Sequence, residues 1–184
     1  MKTETATFAG GCFWCTEAIF KRLKGVLSVM PGYAGGKINP PTYEKVSAGT
    51  TGHAEAIQLL FDPSVVSYEK LLEIFFHTHN PTTMNRQGAD VGTQYRSVIF
   101  CHSEKQKRIA RKKIKDLEKS HAFRDPIITE VLSAASFTPA EEYHRNYYAK
   151  NGAAPYCQVV IDPKITKLFA DYHEDIKEEY RGNP

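Results

Sequence analysis

The sequence predicts an α+β fold, one domain over residues 1–184 with a central mixed β-sheet flanked by helices. Three observations predict it. Segments of period two and of helical period interleave without a strict β-α-β rhythm, which favours a mixed sheet. Apolar residues are 41% and charged residues 24%, ordinary globular usage that excludes wholesale disorder. No internal repeat, low-complexity segment or linker divides the chain.

The elements follow in order. Thr3 to Ala9 alternates as a half-buried strand, broken by Gly10-Gly11. Cys12 to Lys24 reads as a helix with Ile19, Phe20 and Leu23 on its apolar side. An extended stretch from Gly25 to Met30 ends at Pro31-Gly32, and Tyr33 to Gly52, rich in glycine with two adjacent prolines, reads mostly as loop. Loops this long inside a domain are often functional. From His53 to Phe61 the alternation is clean: Glu55, Ile57, Leu59 and Phe61 share one face, Ala54, Ala56, Gln58 and Leu60 the other. Ser67 caps a helix to His79, a polar loop runs from Asn80 to Gln94, and Arg96 to Cys101 is a strand. Ser103 to Ser120 is a basic amphipathic helix, and Ile127 to Leu132 a strand. Thr138-Pro139-Ala140-Glu141 has the form of a capping box opening a helix to about Lys150. Tyr156 to Ile161 reads as a short apolar strand, and a charged helical tail begins at about residue 163.

Charge excludes some functions. Lys plus Arg number 24 against 21 acidic residues, a net +3 that argues for neither a nucleic-acid nor a membrane partner. The eight cations between Ser103 and Ser120 are interspersed with Glu104, Asp116 and Glu118 and have no aromatic residue to stack on bases. No apolar run approaches a membrane span and no secretory h-region opens the chain. The expectation is a cytoplasmic protein, and a monomer, because no strong apolar stripe is left over once the core is assigned.

Four cysteines, Cys12, Cys15, Cys101 and Cys157, then point to buried thiols, metal ligands or redox chemistry. Cys101 ends an apolar strand and reads as a buried thiol. Zinc needs four ligands, and no second CxxC or HxxxH supplies them, so no metal site is expected. Cys12 lies where a strand ends, two glycines free the backbone and a helix begins. The free N–H groups and positive dipole end there predict a lowered thiol pKa and a nucleophile. Phe13 and Trp14 cannot both enter one core, so at least one is expected beside the sulfur. Cys12-x-x-Cys15 also has the spacing of a general thiol–disulfide oxidoreductase. Glu55, on the core-facing side of its strand, is either desolvated and protonated, as a general acid must be, or a surface carboxylate at a strand end. Tyr33 and Tyr95 follow glycine-rich stretches and can aim hydroxyls at a ligand oxygen. Asp90 is a turn residue or a ligand contact, and His144 a surface helical histidine by default.

Taken together, Gly10-Gly11-Cys12-Phe13-Trp14, Gly32-Tyr33-Ala34-Gly35-Gly36, Gly52-His53-Ala54-Glu55, the run Gln87 to Ser97 and Glu142-Tyr143-His144 resemble, in order, the motifs of the A-type peptide methionine sulfoxide reductases. The likeness extends from about Phe8 to Ile161. It implies an α+β fold with a ferredoxin-like core and reduction of methionine S-sulfoxide, free or in proteins. By this likeness Cys12 attacks the sulfoxide sulfur, Glu55 protonates its oxygen, and Tyr33 and Tyr95 hydrogen-bond it. Phe13 and Trp14 hold the methyl group, while Asp90 and His144 shape the polar side. The resulting sulfenic acid condenses with a second thiol. Cys157 matches the position of such a thiol in the family, with Cys15 its local competitor. Thioredoxin or another dithiol then restores the enzyme, and no metal or organic cofactor is implied. Asn80 and Arg145 depart from the usual family residues.

Overall fold

The computed structural model describes residues 2–134 and 136–182. Its chain order is β1 (Glu4–Gly10), α1 (Phe13–Lys21), β2 (Val26–Ala34), α2 (Tyr43–Ser47), β3 (Ala54–Phe61), α3 (Tyr68–Thr78), β4 (Arg86–Gln87), β5 (Asp90–Val91), β6 (Ser97–Cys101), α4 (Glu104–Lys119), β7 (Glu130–Ser133), β8 (Phe137–Pro139), α5 (Tyr147–Asn151), α6 (Asp162–Tyr172) and α7 (Glu178–Arg181). Alternation places β3 at the centre. Ile57, Leu59 and Phe61 are fully buried in the main core with Phe8, Phe20, Leu71 and Phe75 from β1, α1 and α3. Ala54 and Ala56 face a smaller cluster with Ala9, Val98 and Phe100 on the reverse side.

The sheet runs β7-β6-β1-β3-β2-β8. All neighbours are antiparallel except the parallel pair β6 and β7, so the sheet is mixed. Within it, β1-α1-β2-β3-α3-β6 is the expected ferredoxin-like unit, with β3 inserted between β1 and β2. Ser67 caps α3 as read from sequence, accepting from the Lys70 amide, and Ser103 likewise caps α4, accepting from the Gln106 amide.

Several elements differ from the sequence reading. β2 continues through Pro31-Gly32 to Ala34. Proline is tolerated there because Pro31 turns its bonding edge toward β8, where its carbonyl accepts from Ala140, and away from β3. The 33–52 loop contains the short helix α2. The capping box does not form: Thr138 pairs with Tyr33 in β8, and Glu141 accepts from Tyr33 and Tyr43 instead of reaching back to a helix start. Glu142–His144 is a single 3-10 turn, and α5 begins only after Asn146, in left-handed conformation (φ 55°). The apolar run 156–161 is helical. Cys157 and Ile161 are buried in step with Ile165 and Leu168 of α6, whereas Val159, which a strand would share with them, is 74% exposed. The tail is helical from Asp162 to Tyr172 and then breaks, and Ile176 returns to bridge Leu23. No helix among the described residues is long and apolar enough to cross a membrane.

Candidate active site

Cys12 is the residue before α1, extended (ψ 127°) and 6% exposed. Gly11 ahead of it has φ +92°, and a Cβ there would stand 2.6 Å from the Gln87 side chain. Glycine therefore lets β4 and β5 close against the start of α1, which brings in Asp90. Gln87 fixes this hairpin through two hydrogen bonds with the Asn80 backbone.

Glu55 lies under the same helix end, 2% exposed. Its Oε2 accepts from the Phe13 amide at 3.0 Å. Burial raises its pKa from 4.5 to about 8 against the opposing pull of that amide. The carboxyl is thus protonated at neutral pH.

The expected lowering of the Cys12 pKa does not occur. Burial first, then the neighbouring Cys15 thiol and the Glu55 carboxyl, raise it well above the ordinary 9.0. Burial outweighs the helix end, three of whose first four N–H groups are otherwise engaged. Phe13 donates to Glu55, Cys15 and Thr16 donate to the Cys12 carbonyl, and the Cys12 side chain accepts no capping bond. Hydrogen bonding to Cys12 lowers Cys15 from 9.0 to about 7 despite its burial, helped by the Lys164 ammonium and the Tyr156 hydroxyl. The two thiols titrate as a pair that gives up one proton readily and holds the second.

A cavity of about 150 Å³ opens on Cys12. Cavities of that order accept a benzene-sized guest. Its lining is Cys12, Phe13, Trp14, Tyr43, Glu55, Asp90, Tyr95 and Tyr156. Of the residues expected from sequence, Cys12, Phe13, Trp14, Glu55, Asp90 and Tyr95 therefore meet around one space. Tyr33, His144 and Cys157 do not line it. Tyr33 pairs with Glu55 across β2 and β3 and stands on the same side. Its ring lies behind Phe13, and its hydroxyl donates to Glu141 Oε2 at 2.6 Å, so it is not free to meet a ligand. His144 is 1% exposed, and its Nδ1 accepts from Trp14 Nε1 at 3.1 Å. That fixes the indole, while burial lowers the imidazole pKa and keeps it neutral. Cys157 is fully buried beside Cys15 and Ala18, outside the cavity, and burial raises its pKa.

Sequence reasoning missed Tyr43 and Tyr156. Tyr43 follows Pro40-Pro41-Thr42 on the loop read as functional, and the argument applied to Tyr33 reaches it equally. Glu141 places it by accepting from its amide at 2.9 Å. Tyr156 became legible only when its segment proved helical. Its hydroxyl donates to Asp90 Oδ2 at 2.8 Å and lies 4.0 Å from the Cys15 sulfur. Burial raises the pKa of Tyr43, Tyr95 and Tyr156, keeping each a neutral donor. All four cysteines are free thiols. Among the described residues, no cluster of three metal-binding side chains occurs.

The profile of the family described as peptide methionine sulfoxide reductase matches residues 4–177. The peptide methionine sulfoxide reductase MsrA of Sulfolobus acidocaldarius is 55% identical over 169 residues, covering 92% of this chain and 95% of that protein. Among solved structures, reduced Mxr1 from Saccharomyces cerevisiae superposes with a TM-score of 0.76 at 35% identity, over 85% of this chain and 90% of that one. Mxr1 in complex with Trx2 superposes with a TM-score of 0.55 at 25% identity, over 79% and 85%. The fold, the Cys12 cavity and this similarity along nearly the whole chain agree: the chain belongs to the A-type peptide methionine sulfoxide reductases.

Proposed function

We propose that the 150 Å³ cavity holds the methylsulfinyl end of a methionine S-sulfoxide, in a protein or free, and that Cys12 and Glu55 perform its reduction. As a member of its family the chain is a thiol-dependent methionine sulfoxide reductase. One observation carries the residue assignment: a cysteine and a carboxyl that keeps its proton up to about pH 8 share one small, largely aromatic cavity. A sulfoxide oxygen leaves poorly unless protonated, and Glu55 holds that proton. Tyr43 and Tyr95 add neutral donors, and Phe13 and Trp14 supply the apolar wall for the methyl group. This arrangement stabilises charge as it develops on oxygen.

The steps balance. The Glu55 proton passes to the sulfoxide oxygen, and the Cys12 sulfur attacks at the sulfoxide sulfur. That attack forms an S–S bond in a hypervalent intermediate; the protonated oxygen then passes to the Cys12 sulfur, so that the transient S–S bond and the original S–O bond both break, a Cys12 S–O bond forms, and methionine leaves. The proton given up by the thiol restores Glu55. The sum converts one thiol and one sulfoxide into one sulfenic acid and one thioether.

Cys15 is placed to respond first. It sits in the first turn of α1, in the same buried cluster as Cys12, and the two thiols titrate together. Because Cys12 precedes the helix in an extended conformation, a bond to Cys15 need not break a helical turn. The Cys15 sulfur attacks the sulfenic sulfur, forming a disulfide and releasing water. Cys157, the thiol that the family likeness favours, lies beyond Cys15 in the same buried cluster and is next in line for exchange. Thioredoxin or an equivalent dithiol completes the cycle, as the Mxr1–Trx2 complex suggests for a relative.

The test assays both epimers with a dithiol reductant on wild type and the four single cysteine variants. Turnover of the S epimer alone, abolished in C12S, is expected, and activity that survives C12S refutes the nucleophile. Peptide mapping of the oxidised protein assigns the partner: a Cys12–Cys157 bond formed first, with Cys15 still reduced, restores Cys157 to the resolving position.

A further inference from the structure

The methyl-binding wall is held by a carboxylate on its far side. Trp14 is half-buried at the cavity edge, and two contacts orient its indole: the hydrogen bond to His144 and a parallel stack on Tyr147, with centroids 3.7 Å apart and planes 7° from parallel. Tyr147 reaches this stack because Asn146 adopts a left-handed conformation (φ 55°, ψ 35°) that turns the chain between the 3-10 turn and α5. The turn is fixed from α1, one helical turn beyond Trp14. Glu17, 3% exposed, accepts the Asn146 amide on both oxygens at 2.9 and 3.0 Å. Lys21 donates to the Asn146 side chain and completes the clamp.

We propose that Glu17 is a positioning residue for substrate recognition: by clamping Asn146 it lays Tyr147 flat on Trp14 and sets the depth and rigidity of the wall against which the sulfoxide methyl packs. The inference rests on the cavity's role as the sulfoxide site. Glu17 does not line the cavity, so its removal acts on binding and leaves the chemical step in place. An aromatic pair contributes about 0.5–1.5 kcal/mol, which sets the expected loss at about two- to tenfold in KM with kcat nearly unchanged.

Trp14 is the only tryptophan in the chain, so near-UV circular dichroism and fluorescence report its stacking directly, whatever the activity. Glu17→Ala is expected to shift the Trp14 signals toward those of Tyr147→Ala and to raise KM. Glu17→Gln, which retains an acceptor for Asn146, is expected to restore both. The double variant E17A/Y147A is expected to be no worse than Y147A alone, because the two residues act in series. Unchanged Trp14 spectra in E17A, additive effects in the double variant, or failure of Gln to rescue would each overturn the proposal. If E17A does not fold, E17D, one methylene short of Asn146, takes its place with the same expectations. Should sulfoxide prove not to bind at this cavity, the spectra still judge the clamp, while KM then reports only the failure of the site assignment.

Discussion

The proton on Glu55 has a stability consequence that can be measured without substrate. In the unfolded chain this carboxyl ionises near 4.5; folded, it holds its proton to about 8. Between these values the native state binds more protons than the unfolded state, so stability falls as pH rises. About three and a half pH units at ~1.4 kcal/mol each give a deficit on the order of 5 kcal/mol above pH 8, of which about 3 kcal/mol is present by pH 7. The contribution is intact below pH 4.5 and has been lost once pH passes the folded value. Glu55→Gln keeps an oxygen for the Phe13 amide and cannot ionise. Urea unfolding of wild type and E55Q from pH 4.5 to 9 should therefore show curves that start close and diverge, with E55Q the more stable by a few kcal/mol at neutral pH, although it is catalytically crippled. Two curves running parallel across that range would refute the claim that Glu55 is protonated because it is buried.

Other consequences concern turnover. Because the acid must carry its proton, kcat/KM for the sulfoxide should fall as pH rises through about 8, and E55Q should lose that limb along with about a hundred- to ten-thousandfold in rate; a wild-type profile flat to pH 10 contradicts the assignment. Tyr43→Phe should cost about a hundredfold in kcat/KM as the loss of one donor to the developing oxyanion, whereas Tyr33→Phe, acting only through Glu141, should cost much less; equal losses would place both hydroxyls on the substrate. In Cys15→Ser, a sulfenic-acid trapping reagent should label Cys12 after a single turnover more heavily than in wild type, and unchanged labelling removes Cys15 from the first exchange.

Periodicity alone determined much of this protein. The strict alternation over 53–61 put Glu55 on the face of the core, and the Gly-Gly-Cys sequence before an amphipathic segment put Cys12 at a helix start. Both are local properties of the chain, and local spacing decides them. What sequence could not decide was how contacts distant along the chain compete for the same groups. The helix end that should have acidified Cys12 is largely spent on Glu55, forty-two residues away, and on Cys12's own carbonyl. Tyr33 and Tyr43 both lie on the glycine- and proline-rich stretch, yet Glu141 takes the hydroxyl of one and the backbone of the other, leaving only Tyr43 facing the cavity. The same partner dissolves the apparent capping box. Burial of Cys157 and Ile161 in step with α6 turns an apolar run into helix and delivers Tyr156 to the site. Sequence spacing fixes which face a side chain occupies; only tertiary packing decides which partner claims its polar atoms, because most buried donors and acceptors are satisfied and the candidates lie far apart along the chain.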